Sequence, residues 1–250
     1  MPLNKFMKKI DNKSYVIHNS EYETTSDLNY CKQRFAEYEA NNEFERLGFK
    51  EAIEMYPENR SLFVDIGSGA GWMLIKASPI FKKVIGVEPS KSAVDVSKQL
   101  TSDLPNVEHV NSEMIAAMQS LNISEPTFFV TSTVLSHIED DTVKVFLKSL
   151  NEAPKGSVLM FGEPYGKNRN QYVWHIRSKE WWARQLCNWE LTFCGQTGNG
   201  YLNGIRGVCV GKENVKNNYH MSCVERMLWH LSGIPSRIKY LGRIILNLFK

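Results

Sequence analysis

Cysteine is scarce and scattered in this chain. The five present (Cys31, Cys187, Cys194, Cys209 and Cys223) are odd in number and form no C-x-x-C pair. That argues against a zinc ribbon, a redox dithiol or a disulfide framework, and the five read as small core residues. No window holds 18 uninterrupted apolar residues, so no transmembrane helix is expected. Residues 1–13 are polar and basic without an apolar centre, so a secretory signal is not expected and the default location is a reducing cytoplasm. Internal repeats and low-complexity tracts are missing too. No His, Cys or Asp cluster has metal-ligand spacing, and no metal site is expected, although carboxylates brought together by folding leave Mg²⁺ open.

Charge is also nearly absent in sum. The net value over 250 residues is +3, too small to imply a nucleic-acid partner. It is unevenly spread. Residues 215–250 carry Lys216, Arg226, Arg237, Lys239, Arg243 and Lys250 against Glu225 alone, a net +5, and the rest sums to −2.

With 42% hydrophobic and 23% charged residues, the composition is that of an ordinary globular chain. At this length one α/β domain with appendages is the favoured organisation. Residues 29–55 place Phe35, Tyr38, Phe44, Leu47 and Ile53 at mixed three- and four-residue spacings, which predicts one or two amphipathic helices. From Leu62 onward the texture changes. Short apolar runs at 62–66, 83–88, 107–111, 128–132 and 157–162 alternate with helical patterns at 72–78, 92–100 and 141–150. Such alternation implies βαβ units and a parallel sheet covered on both faces. A helix over 178–186, capped by Ser178, and strands near 190–194 and 207–211 then suit a terminal antiparallel hairpin. The domain reading is therefore residues 1–60 as an N-terminal helical lid, 61–214 as the core and 215–250 as a basic C-terminal appendage.

The strongest chemical signal is Leu62-Phe63-Val64-Asp65-Ile66-Gly67-Ser68-Gly69-Ala70-Gly71-Trp72. A buried strand runs into a glycine-rich turn that opens a helix. Glycines permit positive φ and close backbone approach of a ligand, and free amides at a helix start attract carboxylate or phosphate. A dinucleotide fingerprint needs G-x-G-x-x-G with a small third residue. Trp72 stands there instead, which disfavours a nicotinamide dinucleotide.

At this point the sequence resembles the class I, seven-stranded S-adenosylmethionine-dependent methyltransferases, whose first motif is an acidic residue two before G-x-G-x-G. Asp65 to Gly71 match it in full. The resemblance implies a doubly wound, mostly parallel seven-stranded sheet and S-adenosylmethionine as cofactor, with S-adenosylhomocysteine as product. It implies that Glu88, 23 residues after Asp65, accepts from both ribose hydroxyls, and that Glu113 stands where the family places an Asp beside the adenine. Together with Gly67, Ser68, Gly69, Gly71, Pro89 and Thr131, these are the cofactor-binding candidates. The segment from Thr131 to Asp140, with His137, resembles the family's strand-then-His segment at the transfer site; Thr127 departs from a frequent Asp at the strand start. The likeness covers residues 60–165 well and 166–211 by strand order alone.

Methyl transfer to a hydroxyl needs in-line positioning and removal of a proton, and a placed base contributes ~10²–10⁴-fold. His137, at the carboxyl edge of the sheet, is the base candidate; its other reading is a residue that orders the loop over the cofactor. Glu163 is the second catalytic candidate, binding an acceptor hydroxyl or capping the turn after it, with Tyr165 beside it. His175 reads as a partly buried structural histidine, and Trp174, Trp181, Trp182 and Trp189 as packing first and stacking surface second. Tyr15, Tyr22, Tyr30 and Arg34 are lid candidates.

Within the tail, Ile238, Leu241, Ile245 and Leu248 share one helical stripe interrupted by basic residues. That suits docking on the core, a dimer contact or peripheral binding to an anionic membrane. The favoured acceptor is an oxygen on a sugar, such as a surface-glycan precursor, or on another small polar metabolite. N- or carboxyl-methylation is the rival within the class. A nicotinamide-dependent oxidoreductase and an inactive cofactor-binding scaffold subunit are the rivals outside it.

Overall fold

A computed structural model describes residues 5–10, 13–18, 27–42, 44, 48–163, 175–196, 203–211 and 215. The basic tail, Tyr22, Tyr165 and Trp174 lie outside the described residues. The chain opens with two strands, β1 (Lys5–Ile10) and β2 (Lys13–His18), paired antiparallel with Lys5 opposite His18 and Ile10 opposite Lys13. An all-helical segment 1–60 was therefore too simple. The lysine-rich β1 dilutes its own apolar alternation, which hides the strand in the sequence. Two helices follow, α1 (Leu28–Ala40) and α2 (Phe49–Met55). Asp27 starts α1 by accepting from the amides of Asn29 and Tyr30 at 2.8 and 2.9 Å, which satisfies donors that a helix start leaves free.

The core runs β3 (Leu62–Ile66), α3 (Trp72–Ala77), β4 (Lys83–Val87), α4 (Lys91–Leu100), β5 (Val107–Val110), α5 (Met114–Ser120), β6 (Thr127–Ser132), α6 (Asp140–Leu150), β7 (Val158–Glu163), α7 (Lys179–Gln185), β8 (Trp189–Gln196) and β9 (Asn203–Cys209). The main sheet has the order β5-β4-β3-β6-β7-β9-β8. Its first five strands are parallel, and β9 inserts antiparallel between β7 and β8.

Side-chain alternation along the strands divides the core in two. Leu62, Val64, Ile66, Phe129, Leu159 and Phe161 pack with Phe146, Leu147 and Trp182 from α6 and α7. Phe63, Phe128, Val130, Val158 and Met160 pack with Phe49, Ile53 and Leu74 from α2 and α3. Both faces of the sheet are covered, so β3 and β7 are buried along their whole length. This is why these strands read as continuous apolar runs.

Strand β9 begins four residues before the expected 207. Gly204 and Gly207 weaken the strand pattern in the sequence, but the glycine at 207 is a packing device. A Cβ there would lie 2.7 Å from Leu191 Cδ2. Among the described residues no helix is long and apolar enough to cross a membrane. The order of the strands changes direction between β3 and β6, and the carboxyl ends at such a switch point are where open α/β sheets form their ligand-binding crevice.

Candidate cofactor and active site

The glycine turn after β3 divides its labour. Gly67, Gly69 and Gly71 have φ of +78°, +51° and +91°, values that L side chains rarely adopt. A Cβ on Gly67 would lie 2.3 Å from Val134 Cγ2, and one on Gly71 would lie 2.2 Å from Ser97 Oγ. Those two positions are bare so that neighbouring elements can close on the loop. A Cβ on Gly69 would meet nothing within 4 Å. Here the backbone faces open space. The amides of Gly67 and Ser68 both donate to Val87 O, at 2.8 and 3.1 Å, which ties the turn to the end of β4. Ser68 Oγ is turned inward and lies against Gly86, where a Cβ would be 2.8 Å away. Its side chain thus packs against the neighbouring strand.

Glu88 follows β4 immediately. Its Oε2 accepts from the Gly69 amide at 3.0 Å and its Oε1 from the Ser90 amide at 2.9 Å. Asn111 Nδ2 donates to the carbonyls of Glu88 and Pro89 at 2.9 and 3.0 Å, fixing this corner from the neighbouring strand end; the Pro89 ring is exposed. Burial raises the Glu88 carboxyl, its two amide hydrogen bonds pull it back, and the charge of Glu113 raises it further. Glu113 is half-buried at the start of α5. Asp65 is almost wholly buried, and burial first, then the charge of Glu88, pushes it up to about 8. Three carboxyl groups thus act on one another around Glu88, the one that bonds the open glycine, and such a cluster favours a ligand that brings positive charge or hydrogen-bond donors. Among the described residues no group of three His, Cys, Asp or Glu is placed to hold a metal ion.

Across the crevice, β6 ends in a strained turn. Thr133 has φ +57°, a genuine outlier for a β-branched residue and a cost of about 1–3 kcal/mol that surrounding contacts must sustain. Its amide donates to Gly162 O at 2.9 Å, and a single 3₁₀ turn, Leu135–His137, follows.

Two buried charges hold this turn. The Glu163 carboxylate, at the end of β7 and fully buried, receives four donors. Its Oε1 accepts from Thr131 Oγ1 (3.0 Å), Val134 N (2.9 Å) and Leu135 N (3.0 Å), and its Oε2 from Ser136 N (3.1 Å). Burial pushes its pKa up and these bonds pull it part of the way back. Opposite, Arg177 donates to Leu135 O (2.7 Å) and Ile138 O (2.6 Å), and its Nε to Asp140 Oδ1 (2.9 Å). The guanidinium also stacks on Trp181, 4.9 Å from the ring centre.

Glu163 is thus spent on capping the turn that precedes it in the chain, where the sequence offers an acceptor hydroxyl or a cap on the turn after it. Thr131 is likewise fully buried and spends its hydroxyl on Glu163. His137 stands half-buried at the end of the clamped turn. The amide of His175 donates to Ser136 O at 3.0 Å. Thr133 and Val134 enter the sequence reading only as part of the 131–140 segment, and Arg177 not at all, since nothing in the sequence pairs a lone Arg at 177 with carbonyls some forty residues earlier.

Trp182 and Trp189 are core residues, and Trp181 is half-buried. Cys31 and Cys209 are buried, whereas Cys187 is exposed, an exception to the reading of all five as core. Trp72 points away from the crevice to α1. It lies 5.0 Å from the Tyr38 ring and donates to Glu39 Oε1 at 3.3 Å, next to a Lys76–Glu39 ion pair. Cys31, Leu28 and Phe35 of α1 pack with Ala70 of the glycine turn and Val96 and Leu100 of α4. One face of α1 thus rests on the turn. Arg34, bonded to Glu37 at 2.7 Å, and Tyr30 lie on partly exposed positions of the same helix.

A model of the family described as mitochondrial small ribosomal subunit Rsm22 matches residues 28–178, more than half of the chain. The chain belongs to the Rsm22 family. The matched stretch runs from α1 to just past Arg177 and so takes in the glycine turn, the three carboxylates and the clamped turn. No curated protein sequence matches the chain.

Among solved structures, the methyltransferase domain of bacterial CtHen1 superposes with a TM-score of 0.54 at 17% identity, covering 66% of this chain and 98% of that one. The N-methyltransferase NodS from Bradyrhizobium japonicum, in complex with S-adenosyl-L-homocysteine, gives 0.52 at 19%, covering 66% and 87%. A SAM-dependent methyltransferase from Aquifex aeolicus gives 0.52 at 17%, covering 71% and 98%. The fold of this Rsm22-family chain is that of the class I methyltransferases.

Two expectations follow. Gly69→Ala adds a methyl group to open space at a cost of about 1–2 kcal/mol for the left-handed backbone, so the protein should stay folded while losing affinity for any ligand that approaches the turn. Gly67→Ala drives a Cβ into Val134 and should lose both; thermal unfolding with and without ligand separates the two. Asp65 is the source of a pH effect. Its folded pKa is raised, so its contribution favours the ligand-free fold most below about pH 4 and is lost as pH rises toward 8. Asp65→Asn should therefore raise the ligand-free melting temperature more at pH 8 than at pH 5. An equal change at both would remove Asp65 as the source.

Proposed function

We propose that this chain binds S-adenosylmethionine and transfers its methyl group to a hydroxyl oxygen of a small polar acceptor, with a sugar as the favoured class. The observation that carries the reading is the bare, outward-facing Gly69 set against Glu88. A Cβ at residue 69 would occupy the space a ligand needs, and the Glu88 carboxylate beside it suits a vicinal diol. The cofactor supplies an electrophilic methyl on a sulfonium. Gly69 and Glu88 would hold its polar body and Glu113 its base end, and Asp65, its pKa raised to about 8 in the ligand-free fold, would shift toward its charged form as a cationic ligand binds.

What remains for the chain is positioning and one proton. An in-line displacement gains up to about 7–11 kcal/mol from correct placement of its partners. His137, at the carboxyl end of β6, is the group placed to receive the acceptor's hydroxyl proton. N- or carboxyl-methylation uses the same cofactor site without that requirement.

A second reading rests on the family match, whose description is of a mitochondrial small ribosomal subunit component. On that reading the chain associates with a ribosomal particle and its fold serves recognition. Co-sedimentation with small ribosomal subunits, with and without S-adenosylmethionine, addresses it directly.

Thermal unfolding with S-adenosylmethionine, S-adenosylhomocysteine and NAD in parallel tests the primary reading. Each sulfur ligand at about 100 times its Kd should stabilise by ~2.7 kcal/mol, and NAD should do nothing. A shift with NAD alone would replace the methyltransferase reading by an oxidoreductase. On a hydroxyl acceptor, His137→Ala should lower turnover by ~10²–10⁴-fold, while transfer to a neutral amine should largely persist. Undiminished O-methylation by that variant would remove His137 as the base.

A further inference from the structure

The clamp on the turn after β6 reaches the cofactor loop through one contact. Glu163 holds the amides of Val134, Leu135 and Ser136, and Arg177 holds the carbonyls of Leu135 and Ile138. The first residue in that grip, Val134, is the side chain against which the bare Cα of Gly67 packs, close enough that a Cβ there would lie 2.3 Å from Val134 Cγ2. Gly67 in turn donates to Val87 O, immediately before Glu88. A continuous path of packing and hydrogen bonds therefore joins two wholly or nearly buried charges to the glycine and carboxylate of the candidate ligand site.

We propose that Glu163 and Arg177 are positioning residues that fix the shape of the glycine loop through Val134, and so set affinity for the cofactor without touching it. The inference rests on the reading of this site as an S-adenosylmethionine site. Its physical basis is geometric. Backbone amides have fixed directions, so a carboxylate that accepts from three successive ones leaves the turn little freedom. Glutamine keeps the size of Glu163 but replaces one acceptor oxygen by an NH₂ donor. Whichever way its amide is turned, at least one backbone N–H of the turn then faces another donor.

The test is a double-variant cycle read as the Kd of S-adenosylhomocysteine by calorimetry, with amide exchange at residues 134–136 followed in ligand-free protein. Wild type should show slow exchange at those three amides. Glu163→Gln should speed it selectively and weaken binding by about tenfold, as should Val134→Ala. The double variant should bind no more weakly than the weaker single one, because contacts on one path do not act additively. Losses that multiply would overturn the route through Val134. Unchanged affinity in Glu163→Gln, or unchanged exchange, would overturn the clamp itself. Should Glu163→Gln fail to fold, Arg177→Lys, which keeps the charge but cannot span the two carbonyls, carries the same cycle with Val134→Ala. Failure of wild type to bind S-adenosylhomocysteine would overturn the parent reading and this one with it, whereas binding that ignores Glu163 and Arg177 overturns this one alone.

Discussion

A fully buried carboxylate at the end of a central strand is the constraint around which the site is organised. Taking an ion such as Glu163 out of water costs several kcal/mol even after relaxation, and that cost is tolerable only where donors replace the lost solvent. Four do: one hydroxyl and three consecutive amides. The same amides would otherwise be unsatisfied, because a strained Thr133 and a one-turn 3₁₀ helix cannot supply them with a regular ladder. Charge and turn thus solve each other's problem. Arg177 completes the arrangement from the carbonyl side, its own burial lowering its pKa while Asp140 and then Glu163 raise it.

That arrangement explains why the two halves of the crevice can be described as one object. The half formed by β3, β4 and β5 supplies an open glycine and three carboxylates. The half formed by β6 and β7 supplies the clamped turn and His137. They meet where Val134 fills the space a side chain on Gly67 would take. The glycines of the motif are consequently not equivalent. Two are bare so that protein can close on protein, and one is bare toward the opening. A sequence motif presents all three alike, and only the neighbours distinguish them.

Legibility in the sequence follows the range of the interaction. Strands β3, β4, β6 and β7 are readable because both faces are buried, which leaves mostly apolar runs such as Leu62–Ile66, broken by Asp65, and Val158–Glu163, which ends in its carboxylate. The glycine turn and Glu88 were readable because turn chemistry and strand ends are local. The hairpin β1–β2 was missed because its lysines mask a short alternation, and the start of β9 because Gly204 and Gly207 look like breakers while serving close packing. Glu163 stands out by its charge and place, but its four donors leave no trace in the sequence. A carboxylate after a strand looks the same in sequence whether it faces a substrate or folds back on an earlier loop. Ser68 and Thr131 are alike in this, since a hydroxyl shows nothing of its direction. Arg177 left no signal at all, its partners lying about forty residues away.

Trp72 shows how one substitution of type can divert a common fold. At the place where a dinucleotide fingerprint keeps a small residue for close helix–strand packing, this chain carries its largest side chain. The indole does not enter the crevice; it turns outward and receives α1 through Tyr38 and Glu39. The same helix lays Cys31, Leu28 and Phe35 against Ala70 of the glycine turn. The residue that argues against a dinucleotide is therefore also the one that seats an N-terminal helix on the outer side of the cofactor turn. Both consequences point the same way. A turn braced from outside by α1, and from the crevice side by Val134, leaves the backbone at Gly69 as the approach open to a ligand.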